Sequence, residues 1–74
     1  MYHAADCSLC AQALEVVSGV REELEFELEL VDIGDRPELE SRYRERLPVV
    51  ELDGKELFAY FVDAEALRDR ILGR

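Results

Sequence analysis

Cys7 and Cys10 are the only cysteines among the 74 residues, and they are spaced C-x-x-C in Asp6-Cys7-Ser8-Leu9-Cys10. A short apolar segment, Met1 to Ala5, precedes them, and a helical pattern from Leu9 to Leu24 follows. A strand that delivers two thiols to a helix N-terminus is a way to make a reactive cysteine. The free backbone N–H groups and the positive end of the helix dipole favour a thiolate there. Cys7 is predicted at or just before the first turn. Cys10 falls one turn further in on the same side, near enough to close a small disulfide ring. From the residues alone three readings stand: a redox dithiol, half of a metal site, or two inert thiols. The strand before the motif, the helix after it and a proline at position 48 favour the first. Attack by one thiolate on a disulfide, and release of the mixed disulfide by the other, needs two thiols placed in this way.

The neighbours qualify that chemistry. The carboxylate of Asp6 would oppose a Cys7 thiolate if it lies close, and would otherwise be a loop residue or a cap. The hydroxyl of Ser8 can hydrogen-bond a thiolate or a helix-end amide, and a plain first-turn serine is the equal alternative. His3, the single histidine, would make a third zinc ligand, but zinc normally takes four; as a strand residue it reads as structural or exposed. A C-x-x-C-H haem attachment is excluded because residue 11 is alanine. Arg36, Arg42, Arg44 and Arg46 offer charge to an anionic substrate, and Arg46, two residues before Pro48, is the best placed. The alternative for most of them is a solvated helix face. Tyr43, Tyr60 and Phe61 would wall a substrate groove or fill the core, and aromatics at such spacing more often do the latter.

The elements that must position these residues follow from periodicity. Met1 to Ala5 is short for a strand; either it is clipped or upstream residues are absent, and as the strand feeding the dithiol it should be central. Leu9, Ala13, Val16, Val17, Val20 and Leu24 make one helical face, which predicts a first helix from Cys7 or Ser8 to Glu23. Gly19 lies inside it, where close packing on a sheet would account for it. Phe26 to Ile33 alternates and then turns apolar, which predicts an edge strand with two glutamates on one face. Asp35 is the expected cap of a second helix, with Pro37 in its first turn, Glu38 at the capping-box position and an end near Arg46. Leu47 to Leu52 is a strand opened by Pro48. Asp53-Gly54 predicts a tight hairpin, and Lys55 to Phe61 its return strand. Asp63 should cap a last helix over Ala64 to about Leu72, with Ala64, Leu67 and Ile71 apolar.

The resulting order is β-α-β-α-β-β-α in one domain covering residues 1–74. A net charge of −9 argues against nucleic acid or anionic lipid as partners. No apolar run approaches the roughly 20 residues a bilayer span needs, and no basic-then-apolar leader opens the chain. A cytoplasmic monomer is expected.

With C-x-x-C at the first strand–helix junction and Pro48 opening the third strand, this order resembles the thioredoxin superfamily. At this length it is similar to the short bacterial glutaredoxin-like proteins, which carry Leu before the second cysteine. The stretches Tyr2 to Cys10, Val31-Asp32-Ile33, Leu47-Pro48-Val49-Val50 and Asp53-Gly54 carry the likeness. It implies an α/β thioredoxin-like fold of the glutaredoxin type, a four-stranded mixed sheet with three helices. It also implies that Cys7 is the nucleophile, that Cys10 resolves the mixed disulfide, and that Pro48 is cis and faces the thiols. The backbone of Leu47 would hold the substrate's cysteine. The family usually has Pro-Tyr between the cysteines, where Ser8-Leu9 stands here, and Lys three residues before the first, where Ala4 stands. Of its Gly-Gly-x-x-Asp glutathione segment, Asp63 is the residue that remains. The implied function is a thiol–disulfide oxidoreductase or electron carrier acting on protein or low-molecular-weight disulfides. It would have no tightly bound cofactor, with glutathione as a co-substrate, and glutathione or a thioredoxin-type system as reductant. A binding module whose thiols hold zinc or an iron–sulfur cluster is the alternative, and an interaction domain with vestigial thiols is a third reading.

Overall fold

Helix α1 (Ser8–Glu23) starts where Cys7 leaves extended backbone, at φ −108 and ψ 107, and it ends at Leu24, whose N–H bonds to the Val20 carbonyl. These bounds are those expected from the periodicity. The structure, a computed structural model, describes residues 1–73. The face of α1 that is fully buried consists of Cys10, Ala13, Val17 and Val20. Leu9, Val16 and Leu24, expected on that face, flank it and are half-buried. Gly19 is exposed, and a Cβ built on it would touch nothing within 4 Å. Close packing on the sheet therefore does not account for it.

The strands are β1 (Tyr2–His3), β2 (Val31–Asp32), β3 (Val49–Leu52) and β4 (Lys55–Ala59), in the order β2-β1-β3-β4. β1 is central, parallel to β2 through Tyr2 opposite Val31 and antiparallel to β3 through Tyr2 opposite Val49. Asp53 and Gly54 take φ of 52 and 82, the doubly positive pair that a two-residue hairpin needs to match strand twist. The four-stranded mixed sheet and the three helices are as the residue pattern predicts.

All four strands are shorter than predicted: β1 keeps only Tyr2–His3, and β3 begins at Val49, because Pro48 has no N–H to give the ladder and stays outside it with Leu47. Only Val31 and Asp32 of the Phe26–Ile33 stretch join the ladder. Their neighbour offers backbone partners only from Met1 to His3, so nothing pairs with the residues before Glu29. The alternation survives without the ladder, with Phe26 and Leu28 half-buried and Glu27 and Glu29 exposed. Ile33, fully buried, opens a single 3₁₀ turn instead of ending the strand. The return strand stops at Ala59, because Tyr60 turns to φ 70. Before that, one extra residue, Leu57, sits between the pairs Val50–Phe58 and Glu51–Glu56 and makes a bulge.

The second helix, α2 (Pro37–Tyr43), begins with the proline but without the predicted cap. Asp35 lies inside the 3₁₀ turn, and Arg36 occupies the cap position with no side-chain bond. The carboxylate that orders this junction is Asp32, which accepts from the Gly34 N–H at 2.8 Å. A 3₁₀ turn over Arg44–Arg46 carries α2 to Leu47, so the helical stretch ends where expected. The last helix, α3 (Ala64–Ile71), is capped by Asp63, which accepts from the Glu65 and Ala66 N–H groups at 3.0 and 3.3 Å.

The core joins α1, the strands, Tyr43 from α2 and Leu67 from α3, and no polar side chain is fully buried among the described residues. Tyr43 stacks on Tyr2 with ring centroids 4.3 Å apart. Arg68 of α3 pairs with Glu23 at the end of α1. Where Phe26–Glu29 and Glu51–Gly54 face each other beyond Met1, a cleft of about 510 Å³ opens over Val17 and Leu67.

Candidate active site around the dithiol

Cys7 is the N-cap of α1, and its sulfur accepts the Cys10 N–H at 3.1 Å. A side-chain acceptor at this position meets one of the N–H groups that a helix start leaves without a partner. Here the acceptor is a cysteine sulfur, and in the reduced protein the same interaction would favour negative charge on it. The loop before it is held by the Cys7 N–H donating to the Ala4 carbonyl at 3.3 Å. Cys7 and Cys10 are joined as a disulfide, with Cα atoms 5.2 Å apart. Cys7 is half-buried, whereas Cys10 is only 3% exposed and belongs to the core. Of the two sulfurs, Cys7 is the one a second molecule can reach.

Asp6 does not stand alone against this sulfur. Its carboxylate accepts from the Arg44 guanidinium at 3.1 Å, and Arg44 also donates to Glu40 at 2.9 Å. The Arg44 bond holds the Asp6 carboxyl below its ordinary range, and the two carboxylates, Glu40 first, hold Arg44 above its own. The i, i+4 spacing of Glu40 and Arg44 is visible in the sequence. The link to Asp6, 38 residues away, is not.

Pro48 is cis to Leu47, as the family likeness implied, and both are buried. The pairing of Tyr2 with Val49 puts Pro48 at the end of β3 that meets the C-terminal end of β1, where the dithiol loop begins. The Pro48 carbonyl accepts from the Tyr60 N–H at 3.0 Å, which ties the Tyr60 turn to this corner. Tyr60 and Phe61 are 44% and 69% exposed there, while Tyr43 is core. Of the three aromatics, Tyr43 fills the core and Tyr60 and Phe61 do not.

The remaining candidates are placed as follows. Ser8, exposed, and Leu9, half-buried, open α1 between the cysteines. Arg46 is engaged elsewhere: it donates to both carboxylate oxygens of Glu56 at 2.8 and 3.0 Å and lies over the Tyr43 ring. Asp63 is exposed, and one of its carboxylate oxygens is used by the α3 cap. Arg44 is the arginine tied to the dithiol loop. His3 is half-buried in β1, and among the described residues no three His, Cys, Asp or Glu side chains converge as a metal site would require. The cleft beyond Met1 lies at the opposite end of the sheet and takes no part in the thiol geometry.

Comparison with known proteins agrees with this architecture. Residues 1–72 match the family model described as Glutaredoxin-like domain (DUF836). The uncharacterized protein Rv0508 of Mycobacterium tuberculosis (strain ATCC 25618 / H37Rv) is 33% identical over 69 residues, covering 86% of this chain and 71% of its own. The uncharacterized protein Mb0520 of Mycobacterium bovis matches to the same extent. The X-ray structure of the Northeast Structural Genomics target protein XcR50 from X. campestris superposes with a TM-score of 0.78 at 35% identity. It spans 99% of this chain and 93% of that one. With a disulfide-bonded C-x-x-C pair at the start of the first helix of a thioredoxin-like α/β fold, and a family model matched almost end to end, the chain belongs to the glutaredoxin-like (DUF836) family.

Proposed function

We propose that the protein is a thiol–disulfide oxidoreductase or electron carrier that cycles Cys7 and Cys10 between dithiol and disulfide. One observation carries the reading: a reachable sulfur at the N-cap of α1, bonded to the Cys10 N–H, with a second sulfur buried one turn behind it. In the reduced protein the Cys7 thiolate attacks one sulfur of a substrate disulfide. That S–S bond breaks, and the departing thiolate takes a proton. The Cys10 thiolate then attacks the Cys7 sulfur of the mixed disulfide and expels the second substrate thiol. The substrate gains two electrons, and the Cys7–Cys10 bond forms. Two thiols from glutathione, or the dithiol of a thioredoxin-type system, restore the reduced pair. Electrons pass between sulfur atoms throughout, so no tightly bound cofactor is needed.

In this reading Pro48 shapes the contact face, the Leu47 backbone holds the substrate chain, and Ser8 and Leu9 form the lip beside Cys7. Arg46 would serve an anionic substrate only by giving up its pair with Glu56, and Asp63, itself a carboxylate, offers such a substrate no cation. The fit is therefore better for a protein disulfide than for glutathione held by its carboxylates. Among the described residues no helix is long and apolar enough to cross a membrane, and we place the reaction in the cytoplasm, carried out by a monomer.

The test is equilibration against a series of glutathione redox buffers. A reversible two-electron transition between about −180 and −280 mV is expected, the range of known disulfide exchangers and reductases. Thiols that show no transition, or that stay reduced because they hold metal, would remove the oxidoreductase reading.

A further inference from the structure

Arg44, in the 3₁₀ turn that follows α2, pairs with Asp6 of the dithiol loop at 3.1 Å. Asp6 directly precedes the helix N-cap, from where its carboxylate would oppose a thiolate on Cys7 whenever it swung close. It is well exposed, and its carboxylate is drawn towards Arg44. Arg44 is fixed in turn by Glu40, one helical turn earlier on α2. Of the other charged residues put forward for the site, Arg46 pairs with Glu56 and Asp63 caps α3. Ala4, three residues before the first cysteine, is buried and uncharged. The cation paired to this loop is Arg44.

Resting on the reading of Cys7 as nucleophile, we propose that Arg44 is a positioning residue for thiolate formation. It neutralises Asp6 and turns its carboxylate away, so that the charge on Cys7 is left to the helix N-terminus and the Cys10 N–H. Arg44 does not touch substrate. It acts through Asp6, across 38 residues of sequence.

The experiment is a titration of Cys7 in a Cys10→Ser background, followed by thiolate absorbance and by alkylation against pH. It compares the parent, Arg44→Ala, Arg44→Lys, Asp6→Asn and the double variant Asp6→Asn/Arg44→Ala. Arg44→Ala should move the Cys7 midpoint to higher pH and lower the thiolate fraction below it about threefold, the size that a partly exposed pair supports. Arg44→Lys should recover part of this, because it keeps the charge but not the fork shared between two carboxylates. The double variant should return to the Asp6→Asn value. An unmoved or lowered midpoint in Arg44→Ala would overturn the proposal. So would a double variant as impaired as Arg44→Ala, since Arg44 would then act without Asp6. The parent separates this from the reading beneath it: if Cys7 is not alkylated as a thiolate even there, the nucleophile assignment fails, whatever Arg44 does.

Discussion

The division of labour between the two sulfurs rests on a difference in exposure, since both lie at one helix start and only one can be approached. It follows that Cys10→Ser should accumulate a stable mixed disulfide with substrate at Cys7, visible by mass spectrometry under non-reducing conditions. Cys7→Ser should accumulate none and should reduce disulfides only at the background rate. A Cys7→Ser protein that still turns over would reverse the assignment. At this scale the sequence was informative where chemistry is local. C-x-x-C, its place before a helix and the Asp53-Gly54 turn are read from neighbours in the chain. It was uninformative where chemistry is assembled. Arg46 is adjacent to Leu47-Pro48, yet it is spent on Glu56, and Arg44 serves the dithiol loop instead. Nothing in the one-dimensional spacing distinguishes two arginines two residues apart.

Helices and strands differed in legibility for a physical reason. The bounds of α1 and α3 follow from contiguous periodicity and from caps within three residues, and both were read correctly. β2 depends on how much backbone a distant neighbour offers, and Phe26–Leu30 has the alternation of a strand without the partner. The start of α2 shows the same limit, because Asp32 does the ordering expected of Asp35. Two expectations belong to these elements. Gly19 sits mid-helix, exposed, with open space at its Cβ, so Gly19→Ala should stabilise the fold by about 1 kcal/mol. In thermal unfolding of a domain this size, that is a rise of roughly 4–8 °C. Asp63→Ala removes two hydrogen bonds at the start of α3 and should cost about 0.5–2 kcal/mol, read as a lower denaturant midpoint at constant slope. If Asp63 were chiefly a substrate ligand, the midpoint would stay and KM would rise.

The molecule as a whole has two unlike ends. At one, the Cys7 N–H closes the dithiol loop on the Ala4 carbonyl at 3.3 Å, and the Tyr60 N–H ties its turn to the Pro48 carbonyl at 3.0 Å. At the other, the central strand stops at Met1, and the chains on either side of it stand apart around the cleft. Nothing in the charge of −9 or the element order announces this asymmetry. It comes from a central strand two residues long. The consequence is a gradient in time. Among the described residues the amides of Glu27 and Leu28 have no backbone partner, so in deuterated solvent they should exchange at close to the rate of an unfolded peptide. The amides of Val17 and Val20, deep in α1, should wait for the whole domain to open. The Val31 amide, held by the Met1 carbonyl at 2.9 Å, should fall between them. If Leu28 proved as slow as Val17, the sheet would be closed at both ends. With the expected gradient, opening begins in the stretch that walls the cleft, at the end away from the sulfurs, and reaches the helix beneath it last.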